Sequence, residues 1–183
     1  MKILAIDLGY SSVKVAYYND ANVVQFEKYI SAVAKIDNPM EMDDDIMFKL
    51  GVDTYILGDS ALKVSRSLLM PLETFEDMKA IYPVWISYLL KKHPGVDKVI
   101  IGLSLAFSDR TDELLSYLYE QLMIQDDSFF MCFPQGLSAK LAYSNYGLDI
   151  SSEAKNRTKL SCYAVMDLGF KTMDIAVIIK NKS

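Results

Sequence analysis

The sequence contains an internal repeat. Residues 4–17 read L-A-I-D-L-G-Y-S-S-V-K-V-A-Y, and residues 164–177 read A-V-M-D-L-G-F-K-T-M-D-I-A-V. The two segments align without a gap, so that their Asp-Leu-Gly triplets coincide at residues 7–9 and 167–169. Each copy has an apolar stretch, an Asp-x-Gly turn and a second stretch of alternating polar and apolar residues, which is the pattern of a β-hairpin. The repeat therefore predicts two hairpins of the same design in one chain.

The Asp-x-Gly turn carries the chemistry of this repeat. Glycine lets backbone N–H groups approach a ligand closely, and the aligned N–H groups of a tight turn form an anion-binding site. A carboxylate beside that site repels a bare phosphate, but Mg²⁺ can join the two, because it is held through carboxylates, water and phosphate oxygens. One such turn usually marks only a hairpin, whereas two with matched flanks favour a clamp around a Mg²⁺-polyphosphate.

The two hairpins resemble the phosphate-binding motifs of the actin, Hsp70 and sugar-kinase ATPase superfamily. Asp7, Gly9 and Lys14 match the D-x-G-x-x-x-x-K form of its first phosphate motif, and residues 167–174 are similar to its second. Within the superfamily, the sequence is most similar to the ParM/StbA type of bacterial, phage and archaeal actin-like proteins. The segments that carry this closer resemblance are residues 7–14, 55–62 and 101–105.

The resemblance implies an α/β fold: the ribonuclease-H-like domain of actin-like ATPases, with a mixed five-stranded sheet flanked by helices and a small inserted subdomain. The pattern along the chain agrees. Residues 2–8, 12–19 and 22–30 read as an antiparallel meander, and strands then alternate with helices, which favours parallel strands joined by crossovers. The expected domains are a first ATPase domain at 1–146 with its subdomain at 31–72, a linker at 147–161, and the first hairpin of a second, truncated domain at 162–183.

Local signals predict the remaining elements. Thr74, with Asp77 three residues later, indicates a capping box that begins a helix through Lys92, in which Pro83 should cause a kink or a restart. Short edge strands are expected around residues 46–50 and 54–57. Residues 55–62, which overlap the second of these, predict a strand, a turn and a short helix. The other predicted elements are a strand at 96–105, a helix capped by Asp109 or Thr111 and running to about Met123, a strand at 129–133, and a helix from Gln135 to about Tyr146.

Composition narrows the classes of function. With 51% hydrophobic and 23% charged residues the chain should be globular, and its apolar runs fall short of the roughly 20 residues of a membrane helix. The only histidine is His93, and Cys132 and Cys162 each lie in an apolar stretch, which disfavours His-rich metal sites, Ser-His-Asp triads and disulfide frameworks. A net charge of −5 argues against direct nucleic-acid binding. The start of the chain lacks a signal-peptide core, which predicts a cytoplasmic protein.

The resemblance also implies roles for individual residues. Asp7 and Asp167 would hold Mg²⁺ through water, and Asp167 with Gln135 would position the water that attacks the nucleotide. Lys14 would meet the β- or γ-phosphate, whereas Asp174 stands in its place in the second copy. The backbone and hydroxyl groups that would cradle the phosphates belong to Gly9, Tyr10, Ser11 and Ser12 in the first turn and to Gly169, Phe170, Lys171 and Thr172 in the second.

Two of these positions have a second interpretation. Gln135 is equally well explained as a polar residue at the start of a helix. Tyr10 stands where actin has a small hydroxyl residue, so a γ-phosphate contact there would have to come from Ser11, Ser12 or the backbone.

The implied function is that of the N-terminal part of a ParM-like ATPase. Such a protein binds Mg-ATP, or Mg-GTP, between two domains and polymerises into filaments for plasmid or DNA segregation or cytoskeletal positioning, reaching DNA through an adaptor protein. We expect a longer parent protein, because the second copy ends after one hairpin at Ser183. The alternatives are a small-molecule kinase with Asp109 as its base, a non-catalytic structural or partner-docking module, and a two-metal nuclease, which the acidic composition and Lys14 disfavour.

Overall fold

The computed structural model describes residues 1–37, 47–104, 109–135, 162–168 and 173–179. Within them, no helix combines the length and the apolar character needed to span a membrane. The elements are, in chain order, β1 (Ile3–Leu8), β2 (Ser12–Tyr18), β3 (Val24–Ile30), β4 (Val33–Ile36), β5 (Met47–Leu50), β6 (Asp53–Leu57), α1 (Phe75–Lys92), β7 (Lys98–Leu103), α2 (Thr111–Leu122), β8 (Phe130–Pro134), β9 (Cys162–Leu168) and β10 (Met173–Ile179).

The main sheet has the spatial order β3-β2-β1-β7-β8. Strands β1, β2 and β3 form an antiparallel meander, whereas β7 and β8 run parallel to β1. This confirms the predicted mixed five-stranded sheet. In the central strand β1, Leu4, Ile6 and Leu8 are buried. Since successive side chains of a strand point to opposite faces, Asp7 lies on the other face of the sheet.

Helix α1 packs against the buried face of the main sheet. It begins with the predicted capping box: the Asp77 N–H donates to Thr74 Oγ1 at 3.2 Å, and the Thr74 N–H donates to Asp77 Oδ2 at 2.8 Å. The helix is continuous through Pro83, so the predicted restart is not seen. Proline removes a single intrahelical hydrogen bond, to the carbonyl of Lys79, and burial of this helix offsets that loss. Its buried residues are Phe75, Met78, Ile81, Tyr82, Pro83, Val84, Trp85, Ile86 and Leu89.

Helix α2 packs beside α1 and lies between β7 and β8 in the chain. The prediction of its capping residue was wrong, because Arg110, and neither Asp109 nor Thr111, occupies the N-cap position, without a side-chain cap. The Arg110 guanidinium instead pairs with Glu76 of α1 and with Glu113 of α2, each at 2.6 Å. The start of α2 is therefore fixed by contacts with α1 and not by a local cap.

A second, smaller sheet has the order β4-β6-β5 and is antiparallel throughout. The prediction of two edge strands was wrong for β6, which is central, because β4 was not foreseen. Strands of four or five residues are too short to show a clear period. A 3₁₀ helix at Gly58–Lys63 follows β6, as the strand, turn and short helix pattern predicts. The sheet lies inside residues 31–72, whose bounds as a subdomain stay a prediction.

Strands β9 and β10 form an antiparallel two-stranded sheet, as the repeat predicts. Its register pairs Asp167 with Asp174, at the positions where the first hairpin pairs Asp7 with Lys14. The five pairs from Leu4–Tyr17 to Leu8–Val13 recur with the same spacing from Ala164–Val177 to Leu168–Met173. The sequence repeat is thus a structural repeat. The second turn at 169–172, the linker at 147–161 and the helix predicted to reach Tyr146 lie outside the described residues.

Candidate functional site

The candidate site lies at the turn of the first hairpin, where Asp7 and Lys14 are cross-strand neighbours. Lys14 Nζ lies 2.8 Å from Asp7 Oδ2. The Asp7 side chain is 28% exposed and that of Lys14 is 61% exposed, so the carboxylate is partly shielded while the ammonium reaches into solvent. The hairpin register alone produces this pair, because directly opposed residues share a face of the sheet.

The turn between these strands is tied down by backbone and side-chain hydrogen bonds. The Gly9 N–H donates to the Ser12 carbonyl at 3.0 Å, which closes the turn. Ser31 lies behind it, donating from its N–H to the Ser11 carbonyl at 3.3 Å and from its hydroxyl to the Tyr10 carbonyl at 2.8 Å. Two carbonyls of the turn are therefore engaged by one buried serine. This leaves the backbone of the turn in a fixed conformation before any ligand arrives.

The side chains of the turn differ in what they can offer a ligand. The Tyr10 ring packs against the core, and its hydroxyl donates to the Glu73 carbonyl at 3.5 Å. Ser12 is buried, whereas Ser11 is exposed. Among the residues of the first predicted phosphate cradle, Ser11 thus has the hydroxyl that a ligand in solvent can reach most directly.

Gln135, which directly follows strand β8, reaches the same carboxylate. Its Nε2 donates to Asp7 Oδ1 at 2.5 Å, so each oxygen of Asp7 accepts one hydrogen bond from a different side. Strand β7 lies between Asp7 and Gln135, and its residue Gly102 is paired with Asp7 in the register. A Cβ on Gly102 would lie 3.6 Å from Asp7 Cβ and 3.6 Å from Gln135 Cγ. The missing side chain of Gly102 lets Gln135 reach across β7 to Asp7.

Gly102 is a site residue that sequence reasoning missed. A glycine inside a strand often marks a place where another group approaches closely, and Gly102 interrupts the apolar run from Lys98 to Leu103. That signal was present in the sequence, but the identity of the approaching group depends on the pairing of three strands.

Two neutral groups interact electrostatically at or near the site, the buried Tyr82 hydroxyl and the half-buried Cys132 thiol. Burial raises the pKa of Tyr82, with smaller contributions from Cys132, Asp7 and Tyr10. Burial also raises the pKa of the Cys132 thiol to about 11. Both groups stay protonated at neutral pH, so the ionic groups that the structure brings together here are Asp7 and Lys14.

The described residues show no contact between the second hairpin and the group formed by Asp7, Lys14 and Gln135. Asp167 is described by its backbone register alone, opposite Asp174, and residues 169–172 lie outside the described part of the chain. Asp109 precedes α2 and is not among the contacts of Asp7. Within the described residues, no group of three or more histidine, cysteine, aspartate or glutamate side chains is placed to hold a metal ion.

No protein-family model matches the sequence, and no curated protein matches it. Solved structures do share its fold. An archaeal actin homolog superposes with a TM-score of 0.63 at 18% identity, over 98% of this chain and 57% of its own. AlfA from B. subtilis plasmid pLS32, in its filament structure, superposes with a TM-score of 0.57 at 15% identity, over 98% of this chain and 67% of its own. Bacillus thuringiensis ParM in apo form superposes with a TM-score of 0.55 at 15% identity, over 100% of this chain and 58% of its own.

These similarities extend along almost the whole of this chain, which spans 57% of the archaeal actin homolog and 58% of ParM. The antiparallel meander and the two parallel strands after it are features already predicted from the sequence pattern. At such low identity the comparison establishes the fold and not the activity. The chain has the fold of the actin-like ATPases and is similar in structure to ParM.

Proposed function

We propose that this chain is the N-terminal part of an actin-like ATPase that binds Mg-ATP against the turn of its first hairpin. One observation carries the proposal: Asp7 is held between Lys14 and Gln135, at 2.8 Å and 2.5 Å, beside a turn of fixed backbone. A carboxylate, a mobile ammonium and a polar amide beside exposed backbone are the groups that a metal-bound polyphosphate requires.

Lys14 supplies the charge for the phosphates. Its ammonium is mostly exposed and ends a flexible side chain, so it can leave Asp7 and move to a β- or γ-phosphate oxygen. Asp7 keeps its position during that exchange, because Gln135 still donates to its other oxygen. The ion pair with Asp7 thus holds the Lys14 ammonium beside the proposed phosphate site.

Asp7 also fits a magnesium ion bound through water. An ionised carboxylate offers about four acceptor positions, and among the described residues Lys14 and Gln135 occupy two of those of Asp7. The remaining positions can accept from water molecules that an ion carries, and Asp167 would do the same from the second hairpin. Bound Mg²⁺ would neutralise charge on the phosphate oxygens.

The turn and the amide would orient the reacting groups. The Gly9 N–H already closes the turn, so the first phosphate cradle would come from the N–H groups of Tyr10 and Ser11, with the Ser11 hydroxyl and with less from buried Ser12. Gln135 would direct the attacking water together with Asp167.

The second hairpin would complete the site from the other side. Its register matches that of the first hairpin, and on this basis we assign the second cradle to the turn that follows β9. The residues of that cradle would be Gly169, Phe170, Lys171 and Thr172.

We further propose that the complete protein assembles with itself. The similar ParM was solved with ATP, ADP and AMPPNP, and AlfA was solved as a filament. By that likeness, binding and hydrolysis of ATP or GTP would drive assembly and disassembly of a filament, used in plasmid segregation or cytoskeletal positioning in the cytoplasm. DNA would be reached through an adaptor protein, consistent with the net charge of −5.

Calorimetric titration of Mg-ATP into the chain tests the phosphate site. The Asp7→Asn variant removes one charge from the site, and Asp53→Asn is its matched control, because Asp53 forms a similar lysine pair with Lys35 at 2.9 Å in the small sheet. We expect saturable, Mg²⁺-dependent binding that weakens about tenfold or more in Asp7→Asn, since a charge-assisted contact is worth about 1.5–3 kcal/mol. Binding in Asp53→Asn should stay unchanged. Absence of binding, or equal effects of the two variants, would overturn the proposal.

A further inference from the structure

A cleft of about 560 Å³ lies between the main sheet and the small sheet. Its walls come from β3, β5, the 3₁₀ helix after β6 and the C-terminal half of α1. The volume falls within the roughly 300–1,000 Å³ of small-molecule sites, which often lie between structural units. The lining includes Tyr29, Phe48, Trp85, Tyr88, Lys91 and Lys92, none of which belongs to the phosphate site.

Aromatic rings form one part of this lining. Tyr88 meets Tyr29, Phe48 and Trp85 edge to face, with ring centroids 6.2, 5.8 and 5.9 Å apart. This geometry is the preferred one for aromatic pairs, so each ring restricts the orientation of its neighbours. The Trp85 indole N–H also donates to the Ser31 carbonyl at 3.2 Å. The rings therefore form a rigid surface suited to a planar apolar ligand.

Two ammonium groups lie beside these rings. Lys91 Nζ is 5.9 Å from the Phe48 ring centroid, and the described residues provide no carboxylate in ion-pair range of it. Lys92 Nζ donates to Glu27 at 3.0 Å and to the Tyr29 hydroxyl at 2.5 Å. Because an ammonium has three N–H donors, Lys92 keeps one for a further acceptor. The cleft thus offers hydrogen-bond donors with positive charge next to aromatic surface.

We propose that this cleft binds an aromatic anion, such as an aromatic carboxylate or sulfonate. The ring system would pack against Tyr29, Phe48 and Tyr88, and the anionic group would accept from Lys91 and Lys92. Asp59, on the 3₁₀ helix, also lines the cleft and weakens binding of an anion by repulsion. A ligand in this position touches both sheets at once.

The chain contains a built-in reporter for this site, because its only tryptophan, Trp85, lines the cleft. Energy transfer from Trp85 to added anilinonaphthalene sulfonate measures binding of an aromatic anion. N-phenylnaphthylamine has the same ring system without the sulfonate and serves as the uncharged probe. We expect saturable binding of the sulfonate at least about fivefold tighter than that of the uncharged probe, as one charge-assisted hydrogen bond can supply this difference.

Three variants identify the cleft as the place of binding. Lys91→Ala should weaken binding of the sulfonate about fivefold or more and leave the uncharged probe unaffected, whereas Asp59→Asn should strengthen binding of the sulfonate. Lys49→Ala is the matched control, because Lys49 follows Phe48 in β5, is exposed and does not line the cleft. Thermal unfolding followed by circular dichroism establishes that each variant is folded. Equal affinity for the two probes, or equal effects of Lys91→Ala and Lys49→Ala, would overturn the proposal.

Discussion

Asp7 is oriented before any ligand binds. Both of its oxygens accept hydrogen bonds, one from a neighbouring strand and one from across β7, while the side chain remains 28% exposed. Preorganised groups do not have to be reordered when charge arrives, and this lowers the free-energy cost of binding. The residues that deserve testing are therefore those that hold Asp7 as well as those that would touch the phosphates.

We expect Gly102 to be intolerant of branched side chains. A Cβ there would be in ordinary contact with Asp7 and Gln135 at 3.6 Å, so Gly102→Ala should be accommodated, whereas the two methyl groups of Gly102→Val would push Gln135 away from Asp7. Overpacking of this kind costs about 1–3 kcal/mol. Urea unfolding should show this loss for valine alone, and titration of Mg-ATP should show weaker binding.

Gly102→Val would both overpack the sheet and break the contact between Gln135 and Asp7, and Gln135→Ala separates these two effects. It removes the hydrogen bond to Asp7 without adding volume beside Gly102. If nucleotide affinity is unchanged in both Gly102→Val and Gln135→Ala, the contact between Gln135 and Asp7 has no role in the site.

Glu27 is a second carboxylate whose surroundings determine its ionisation. Burial opposes its negative charge, but hydrogen bonds from Tyr29, Lys92 and Tyr17 outweigh burial and lower its pKa to about 2. The His93 imidazole lies 3.5 Å away. A depressed pKa means that ionised Glu27 stabilises the fold above its ordinary pKa of 4.5, and that this contribution is lost as the pH falls through about 2.

Acid unfolding should therefore depend on Glu27. The difference in pKa sets an upper limit of about 3 kcal/mol on this contribution at neutral pH, and solvent screening of the partly exposed carboxylate reduces it. The Glu27→Gln variant should be less stable at neutral pH, and its stability should fall less than that of the unsubstituted chain between pH 4.5 and pH 2. Urea unfolding at a series of pH values measures this, with exposed Glu120→Gln on α2 as the control. Parallel pH profiles for Glu27→Gln and the unsubstituted chain would contradict the prediction.

At the scale of single elements, α1 is the helix on which the core depends, and its start is specified locally. Thr74→Ala removes the side-chain acceptor of the capping box and should lower the free energy of unfolding by about 1 kcal/mol. Thr74→Ser keeps a hydroxyl at the same place and should be close to neutral. Chemical denaturation of both variants tests this. A similar loss in the two would mean that the threonine methyl group, and not the cap, stabilises this end of the helix.

Elements specified by local signals could be predicted from the sequence, and the others could not. The capping box of α1 requires only Thr74 and Asp77, and each hairpin requires only one repeat unit. The start of α2 instead depends on Arg110 reaching Glu76, thirty-four residues earlier in the chain. The central place of β6 depends on β4, a strand of four residues without a readable period.

The same reasoning applies to the candidate site. The pair of Asp7 and Lys14 follows from the turn, because the loop between two antiparallel strands sets their register. The approach of Gln135, which lies 128 residues after Asp7 in the chain, depends on the pairing of β1, β7 and β8 and on the missing side chain of Gly102 in β7. Sequence reasoning could name Gln135 from a resemblance, but it could not identify Gly102 as the residue that lets it reach Asp7.

At the scale of the whole molecule, the main sheet and the small sheet differ in the size of their buried clusters. The main cluster joins β1, β2, β7, α1 and α2, and includes a few side chains of the small sheet. The small sheet has its own second cluster, formed by Ala34, Ile36, Ile56 and Ala61. Stability of a local unit follows the apolar contacts that its opening would break.

Native-state hydrogen exchange should therefore show two levels of protection. Amides of β1 and β7 should exchange only on global unfolding, whereas those of β4, β5 and β6 should exchange through a lower-energy opening of the small sheet. Mass spectrometry of peptides from the two regions, over a series of low denaturant concentrations, measures both. A single level of protection in both sheets would show that they unfold as one cooperative unit.

The shared register of the two hairpins bears on the orientation in which a ligand would bind. At equivalent positions, the first hairpin has a carboxylate opposite an ammonium, and the second has a carboxylate opposite another carboxylate. Two copies of one backbone design thus present unequal charge. The two ends of an elongated anion that contacted both turns would meet different charges. The duplicated hairpin would therefore favour one orientation of its ligand over the other.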